Sequence, residues 1–523
     1  MSQKDTQPRV ELRAGALRGF TDRGVQAFLG VPFAAPVVGS RRFAPPSAVE
    51  PWDGDRDATV RPVAPPQMPS RLKYFMGELA VPGYGEDCLT LNVWSPSTDP
   101  DAKLPVLIFF HGGAWLSGAG VASWYDGAVM AQRGEMVVVT ANYRLGALGW
   151  LYLPRGTGNG KPVANLGMQD MMAALNWVQD NINQFGGDPT NVTAAGQSAG
   201  GQTIAALMTA GAAGSFQRAI IDSVALGDHP FTPEQSERAT QAFFKAAGLP
   251  PTATEDLLNL PVSQLLEAQG EINRQAVVGE LDLGDVPFRL PLEPMFDGVV
   301  MPVDYVDAAF EGGSLDDLPI MFSHTSDESR AWLANDAEFW GRDRESIARQ
   351  ITSESGAESA ALYGTYADLL SSSSPAEAWA EMISDENFVF HQLRLAERKA
   401  RHGVPAYFMW FSWQSPAADG RLAAAHTVDM PFVFKNFSDW PAAPMLAGVS
   451  QEELEHVSTP VQDAWISFAR NGAPAVNGGP DWPPFTTEGQ HAMEFNTEVR
   501  LVSGLRRDRR DLRRAAEDAL TRG

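Results

Sequence analysis

The stretch that most constrains the fold runs from Val192 to Gly201, Val-Thr-Ala-Ala-Gly-Gln-Ser-Ala-Gly-Gly. A short β-forming run enters Gly196-x-Ser198-x-Gly200, and a helical pattern of small residues, Gln202 to Met208, leaves it. A strand that turns into a helix this tightly forces Ser198 into a strained backbone conformation and lifts its hydroxyl clear of the sheet. Gly196 and Gly200 then stand where a Cβ would collide with the neighbouring strand and helix. The same turn sets the Ala199 N–H at a helix N-terminus, where partial positive charge favours an oxyanion. Taken alone, the pattern also fits a glycine-rich turn with an incidental serine. Its partners decide.

Such a turn needs a sheet around it. Leu104 to Phe110 is a continuous apolar run, as expected of a strand buried on both faces of a parallel sheet, and Met136 to Thr140 is a second. Asn165 to Phe185 reads as a helix, with Met171, Leu175, Val178, Ile182 and Phe185 at steps of four and three before Gly186-Gly187-Asp188-Pro189 stops it. Ala219 to Asp222 is the next strand. Strand, helix, strand, turn, helix, strand predicts a doubly wound α/β sheet. Short β segments are expected before it, at 10–18, at 25–29 and in the second half of 86–94. The first apolar run ends in His111-Gly112-Gly113-Ala114-Trp115, where glycines allow backbone N–H groups to point at a ligand.

The stretches at 28–46, 86–94, 111–115, 142–149 and 165–201 closely resemble the type-B carboxylesterase/lipase family, the cholinesterase-like α/β-hydrolases. Glu86-Asp87-Cys88-Leu89 and Phe185-Gly186-Gly187-Asp188-Pro189 carry the likeness most specifically. His111-Gly112-Gly113-Ala114-Trp115 looks most like the bacterial para-nitrobenzyl-esterase-type branch. With weaker similarity in the C-terminal third, the match spans nearly the whole chain. The resemblance implies an α/β-hydrolase fold in a single domain over 1–523, a mostly parallel sheet, and helical insertions around 227–315 and 330–400 that roof a gorge. It also implies that the N–H groups of Gly113, Ala114 and Ala199 form the oxyanion hole.

The remaining catalytic groups should follow Ser198 in the order acid, then histidine. His426 lies in a loop of small residues beyond the apolar run Pro405 to Phe411, where this kind of sheet keeps its base, and its block resembles the family's histidine segment. His324 is the rival, because it lies near the acids. Those acids are Asp327 and Glu328, and either carboxylate could orient an imidazole. In the family the second of the pair does so, which selects Glu328, although Ser323-His324 and Ser329 stand where glycines are common. Gln197 replaces the usual glutamate, which removes a negative charge beside the nucleophile and lessens attraction for cationic substrates. Ser223 matches a serine of the family that would support the histidine loop, and it also fits an ordinary strand-end serine. Trp115, Phe288, Leu290, Phe296, Met321 and Trp332 are candidate gorge walls.

A net charge of −24 argues against nucleic acid and anionic membranes as partners. Cys88 is the only cysteine, which excludes an intrachain disulfide. The opening residues lack the apolar core of a signal peptide, so a cytoplasmic location is expected. The arginines of Leu505 to Ala516, interleaved with aspartates, read as a solvated helix. The expected activity is serine-dependent hydrolysis of small-molecule carboxylic esters, with no metal or cofactor. Carbamate or amide hydrolysis by the same groups is the alternative, and a non-catalytic binding protein on this fold is a third reading.

Overall fold

A computed structural model of the chain describes residues 7–520 except 158–159, 211, 226–228, 285–289, 303, 305 and 307–317; of residues 213 and 516–520 it describes the backbone alone. Strands β1 (Arg9–Leu12), β2 (Gly15–Arg18) and β5 (Asp55–Asp57) make a small N-terminal sheet. The first predicted β segment is therefore a hairpin, with Arg13 and Ala14 forming the turn between the paired Leu12 and Gly15.

The main sheet holds β3 (Phe20–Asp22), β4 (Val25–Pro32), β6 (Thr90–Ser95), β7 (Leu104–Phe110), β8 (Val137–Ala141), β9 (Gly187–Gln197), β10 (Arg218–Asp222), β11 (Ile320–Thr325), β12 (Ala406–Phe411), β13 (Ala492–Phe495) and β14 (Val499–Val502). Their spatial order is β14-β13-β12-β11-β10-β9-β7-β8-β6-β4-β3. Every pairing from β8 across to β13 is parallel, and both flanks are antiparallel.

The apolar runs are continuous because both faces of these strands are covered. Successive residues alternate between two cores. Val106, Ile108 and Phe110 join one, and Leu107 and Phe109 the other. Helices Leu166–Asn181 and Ala199–Thr209 cover the first face, and Ala128–Gly134, Met430–Phe434 and Gln451–Asn471 the second. The helix expected to Phe185 is α-helical only to Asn181. Ile182–Phe185 tightens to a 3₁₀ turn, and left-handed Gly186 ends it.

Four of the blocks that carried the resemblance are joined in two pairs by ion pairs. Arg42 grips Glu86 through Nε and Nη2 at 2.6 and 2.9 Å. Arg144 grips buried Asp170 at 2.8 and 2.7 Å. Both are bidentate, the geometry in which a planar guanidinium best offsets burial.

The C-terminal arginine-rich segment is a helix, Arg507–Leu520, as expected, but it is docked as well as solvated. Arg509 reaches Asp385 at 3.0 Å, Arg510 reaches Glu397 at 2.8 Å, and the preceding Arg506 reaches Glu381 at 2.8 Å. These partners sit on the helical segment 375–401. The spacing of arginines along one helix could not reveal acids more than a hundred residues upstream.

Candidate active site

β9 ends at Gln197, and Ser198 adopts φ 53° and ψ −126° before helix Ala199–Thr209 begins. That conformation is strained for a residue with a Cβ. It is held by the Ser198 N–H, which donates to the Asp222 carbonyl at 2.8 Å. A Cβ on Gly196 would lie 2.6 Å from the carbonyl carbon of Gly200, and one on Gly200 would strike the Phe110 and His111 carbonyls.

Beyond β7 the chain makes its second tight turn. Gly113, Ala114 and Trp115 have φ of 118°, 54° and 57°. Leu116 and Ser117 donate to the Gly113 carbonyl at 3.0 and 3.1 Å, so the Gly113 and Ala114 N–H groups lie outside the turn's own hydrogen bonds. A Cβ on Gly112 would come within 2.9 Å of the Ser198 Cβ, so the two turns are in close contact. His111 serves this packing. Its ring stacks on Tyr143 at 4.5 Å, and burial pushes its pKa down to about 4, which keeps it neutral.

His426 follows β12 and is 2% exposed. Its Nδ1 stands 2.6 Å from Oε2 of Glu328, and its N–H donates to the Glu328 carbonyl at 3.3 Å. Glu328 follows β11 and is fully buried. Its other oxygen, Oε1, accepts from the Ser223 hydroxyl at 2.6 Å and the Thr325 N–H at 3.0 Å, and His324 Nδ1 stands 3.3 Å away. Burial alone would push the Glu328 carboxyl up. The charge of protonated His426 and hydrogen bonds from His324 and His426 outweigh it and hold the pKa well below the carboxylate range. Asp327 turns away, to the Ser326 hydroxyl at 2.6 Å and Arg330 at 3.2 Å. The Ser223 hydroxyl therefore meets Glu328, not the histidine loop.

Gln197 is 1% exposed, and its Nε2 lies 3.1 Å from Nε2 of His426. Because Glu328 accepts the proton on Nδ1, Nε2 carries the lone pair and takes the amide N–H. The glutamine therefore touches the His426 ring directly. Sequence reasoning missed two further groups, Asp222 and Asp429, both fully buried. Burial raises both pKa values. Asp429 reaches about 7 with help from the Glu328 charge, and the charge of Asp429 adds to the shift at Asp222. Asp429 lies three residues past His426 and Asp222 just before Ser223, but neither spacing reveals that they converge.

The carboxylesterase family model matches residues 6–513. The chain is 34% identical over 486 residues to phenmedipham hydrolase of Pseudarthrobacter oxydans, covering 92% of this chain and 94% of the relative. It is 33% identical over 495 residues to para-nitrobenzyl esterase of Bacillus subtilis, covering 94% and 95%. A solved Geobacillus stearothermophilus carboxylesterase superposes with a TM-score of 0.81 at 33% identity, covering 96% of this chain and 99% of that one.

The chain belongs to the carboxylesterase family.

It is a serine carboxylesterase with an α/β-hydrolase fold, and its substrates are small-molecule esters. Of the six candidate wall residues in this carboxylesterase, Trp332 stands beside His426, the rings 5.1 Å apart, and is stacked on Phe388 at 6.1 Å. Trp115 follows the Gly113–Ala114 turn and donates to Thr203 at 3.0 Å. Met321 is fully buried in the second core, on the far side of β11 from Phe322. Leu290 is half-buried and Phe296 exposed, while Phe288 lies outside the described residues. Among the described residues, no helix is long and apolar enough to cross a membrane.

Proposed function

We propose that Ser198 is the nucleophile, His426 the general base and Glu328 the acid that orients it. The observation that carries this reading is the contact chain from Glu328 Oε2 through His426 to Gln197, the residue that leads into the strained turn at Ser198. In the mechanism, His426 Nε2 takes the Ser198 proton as Oγ attacks the ester carbonyl. Glu328 fixes the tautomer with its lone pair on Nε2 and stabilises the imidazolium. The N–H groups of Gly113, Ala114 and Ala199 hold the tetrahedral oxyanion. His426 then protonates the departing alcohol, and water, activated by the same base, frees the acyl group.

We read the chain as one domain and place it in the cytoplasm, supported by a single cysteine that is fully buried. The test is a serine-directed organophosphate, with the adduct mapped by mass spectrometry, alongside p-nitrophenyl esters of graded acyl length and matched carbamates. Label on Ser198 alone, lost in Ser198→Ala together with turnover, is the expected result. Inactivating label on another serine overturns the assignment, and faster turnover of the carbamates replaces the ester reading with the alternative.

A further inference from the structure

Glu328 is held unevenly. Oε2 faces the His426 imidazole, whereas Oε1 meets the Ser223 hydroxyl, the Thr325 N–H and His324. A carboxylate that can rotate about its last bond has two equivalent oxygens to offer a base. Donors gathered on one of them remove that freedom and aim the other. Two of the three come from backbone and hydroxyl groups of the kind many strand ends supply. The third is an imidazole, fully buried in β11, which pairs with β12 through Trp410, and its ring packs 5.5 Å from Phe408. Its Nδ1 faces a carboxylate, which only accepts, so Nδ1 carries a proton there. Its Nε2 has no hydrogen-bonding protein partner among the described residues. A ring there solely to fill space would be less costly as an apolar side chain.

We propose that His324 is a positioning residue for ester hydrolysis. It donates from Nδ1 to Glu328 Oε1 and so keeps Oε2 directed at His426. The proposal rests on the roles assigned above to Glu328 and His426. Several titratable and charged groups surround this pair. His426 and Asp429 come from the loop after β12, Asp222 from the end of β10, and Asp385 from the helical segment 375–401, where Arg506 pairs with it. None of them reaches Oε1 with a donor proton. The hydrogen bond also draws charge from the carboxylate. Without it, more negative charge faces His426 and favours the imidazolium, so the acid limb of the rate profile should move to higher pH.

The experiment compares His324→Asn with His324→Leu in the full-length protein. The asparagine amide nitrogen occupies the position of Nδ1 and keeps the donor, while leucine has the same branching and none. Leucine should lower kcat about tenfold through misorientation of the acid, leave KM within about twofold, and raise the acid limb of kcat/KM by about half a pH unit. Asparagine should restore kcat and the limb to near wild type. Combined with Glu328→Gln, which carries no charge to aim, His324→Leu should cost nothing further. Wild-type kcat and pH profile in the leucine variant overturn the proposal. So do equal losses in the leucine and asparagine variants, or an undiminished loss in the Glu328→Gln background. Failure of the underlying assignment shows differently, as near-normal activity of Glu328→Gln alone.

Discussion

The Ser198 side of the site, the proposed nucleophile, comes from neighbouring residues, and the proposed acid–base side, Glu328 and His426, from distant ones. The turn at Ser198 is shaped by Gly196–Gly201 and by the backbone and the Val224 side chain packed against it, and the control is steric. The acid–base side draws Ser223, His324, Glu328 and His426 from the ends of β10, β11 and β12. Hydrogen bonds and charge hold it together. A steric lock tolerates almost no change at its glycines. A hydrogen-bonded cluster is graded, and its parts should fail by different amounts and with different pH signatures. Gln197 belongs to the first side by sequence and to the second by contact.

The sharpest way to break the comparison is at the acid. Glu328→Gln should cost about 10⁴ in kcat, the scale seen when an orienting carboxylate becomes an amide and the wrong tautomer results. Asp327→Asn should cost far less, because Asp327 is spent on Ser326 and Arg330. Steady-state kinetics of both variants decide it. Equal losses would mean that the acid side is no more specific than a generic charged loop, and a larger loss at Asp327 would reverse the roles.

A smaller effect is expected where the two sides meet. Gln197→Glu replaces a donor to the lone pair of His426 with a negative charge. Opposite charge favours the protonated ring, so the acid limb of kcat/KM should move up by about one pH unit. Choline-like esters should improve relative to neutral ones. Matched pH–rate profiles test this, and an unmoved limb with unchanged preference would leave Gln197 a packing residue.

The smallest effect is on stability. Asp429 binds its proton more tightly in the folded protein, where its pKa is about 7, than at its ordinary value near 3.8. Between those values the folded state holds a proton that the unfolded state has released, so this group's stabilising contribution is full below the lower value and is lost as pH rises. Asp429→Asn removes that dependence. Above pH 7 the variant should melt a few degrees higher than wild type, with the gap closing towards pH 4. Thermal melts across that range check it, and a gap that widens on acidification would show that Asp429 is held ionised.

The sequence by itself determined the turn at Ser198, the turn at Gly113 and the strands that carry them. Each rests on a local rule. Glycine is required where a Cβ has no room, and a strand covered on both faces reads as an unbroken apolar run. The resemblance extended that reading to Glu328 and His426, whose spacing alone left Asp327 and His324 in contention. The tertiary structure decided what no spacing encodes. It turned Asp327 away, brought His324 to the second oxygen of Glu328, and set Gln197 against the base. It also buried Asp222 and Asp429 behind the histidine loop and docked the C-terminal arginines on Glu381, Asp385 and Glu397. The reason is physical. A steric exclusion acts between neighbours in the chain, whereas the pairing and titration of buried charges depend on groups that only the folded sheet brings within a few ångströms of one another.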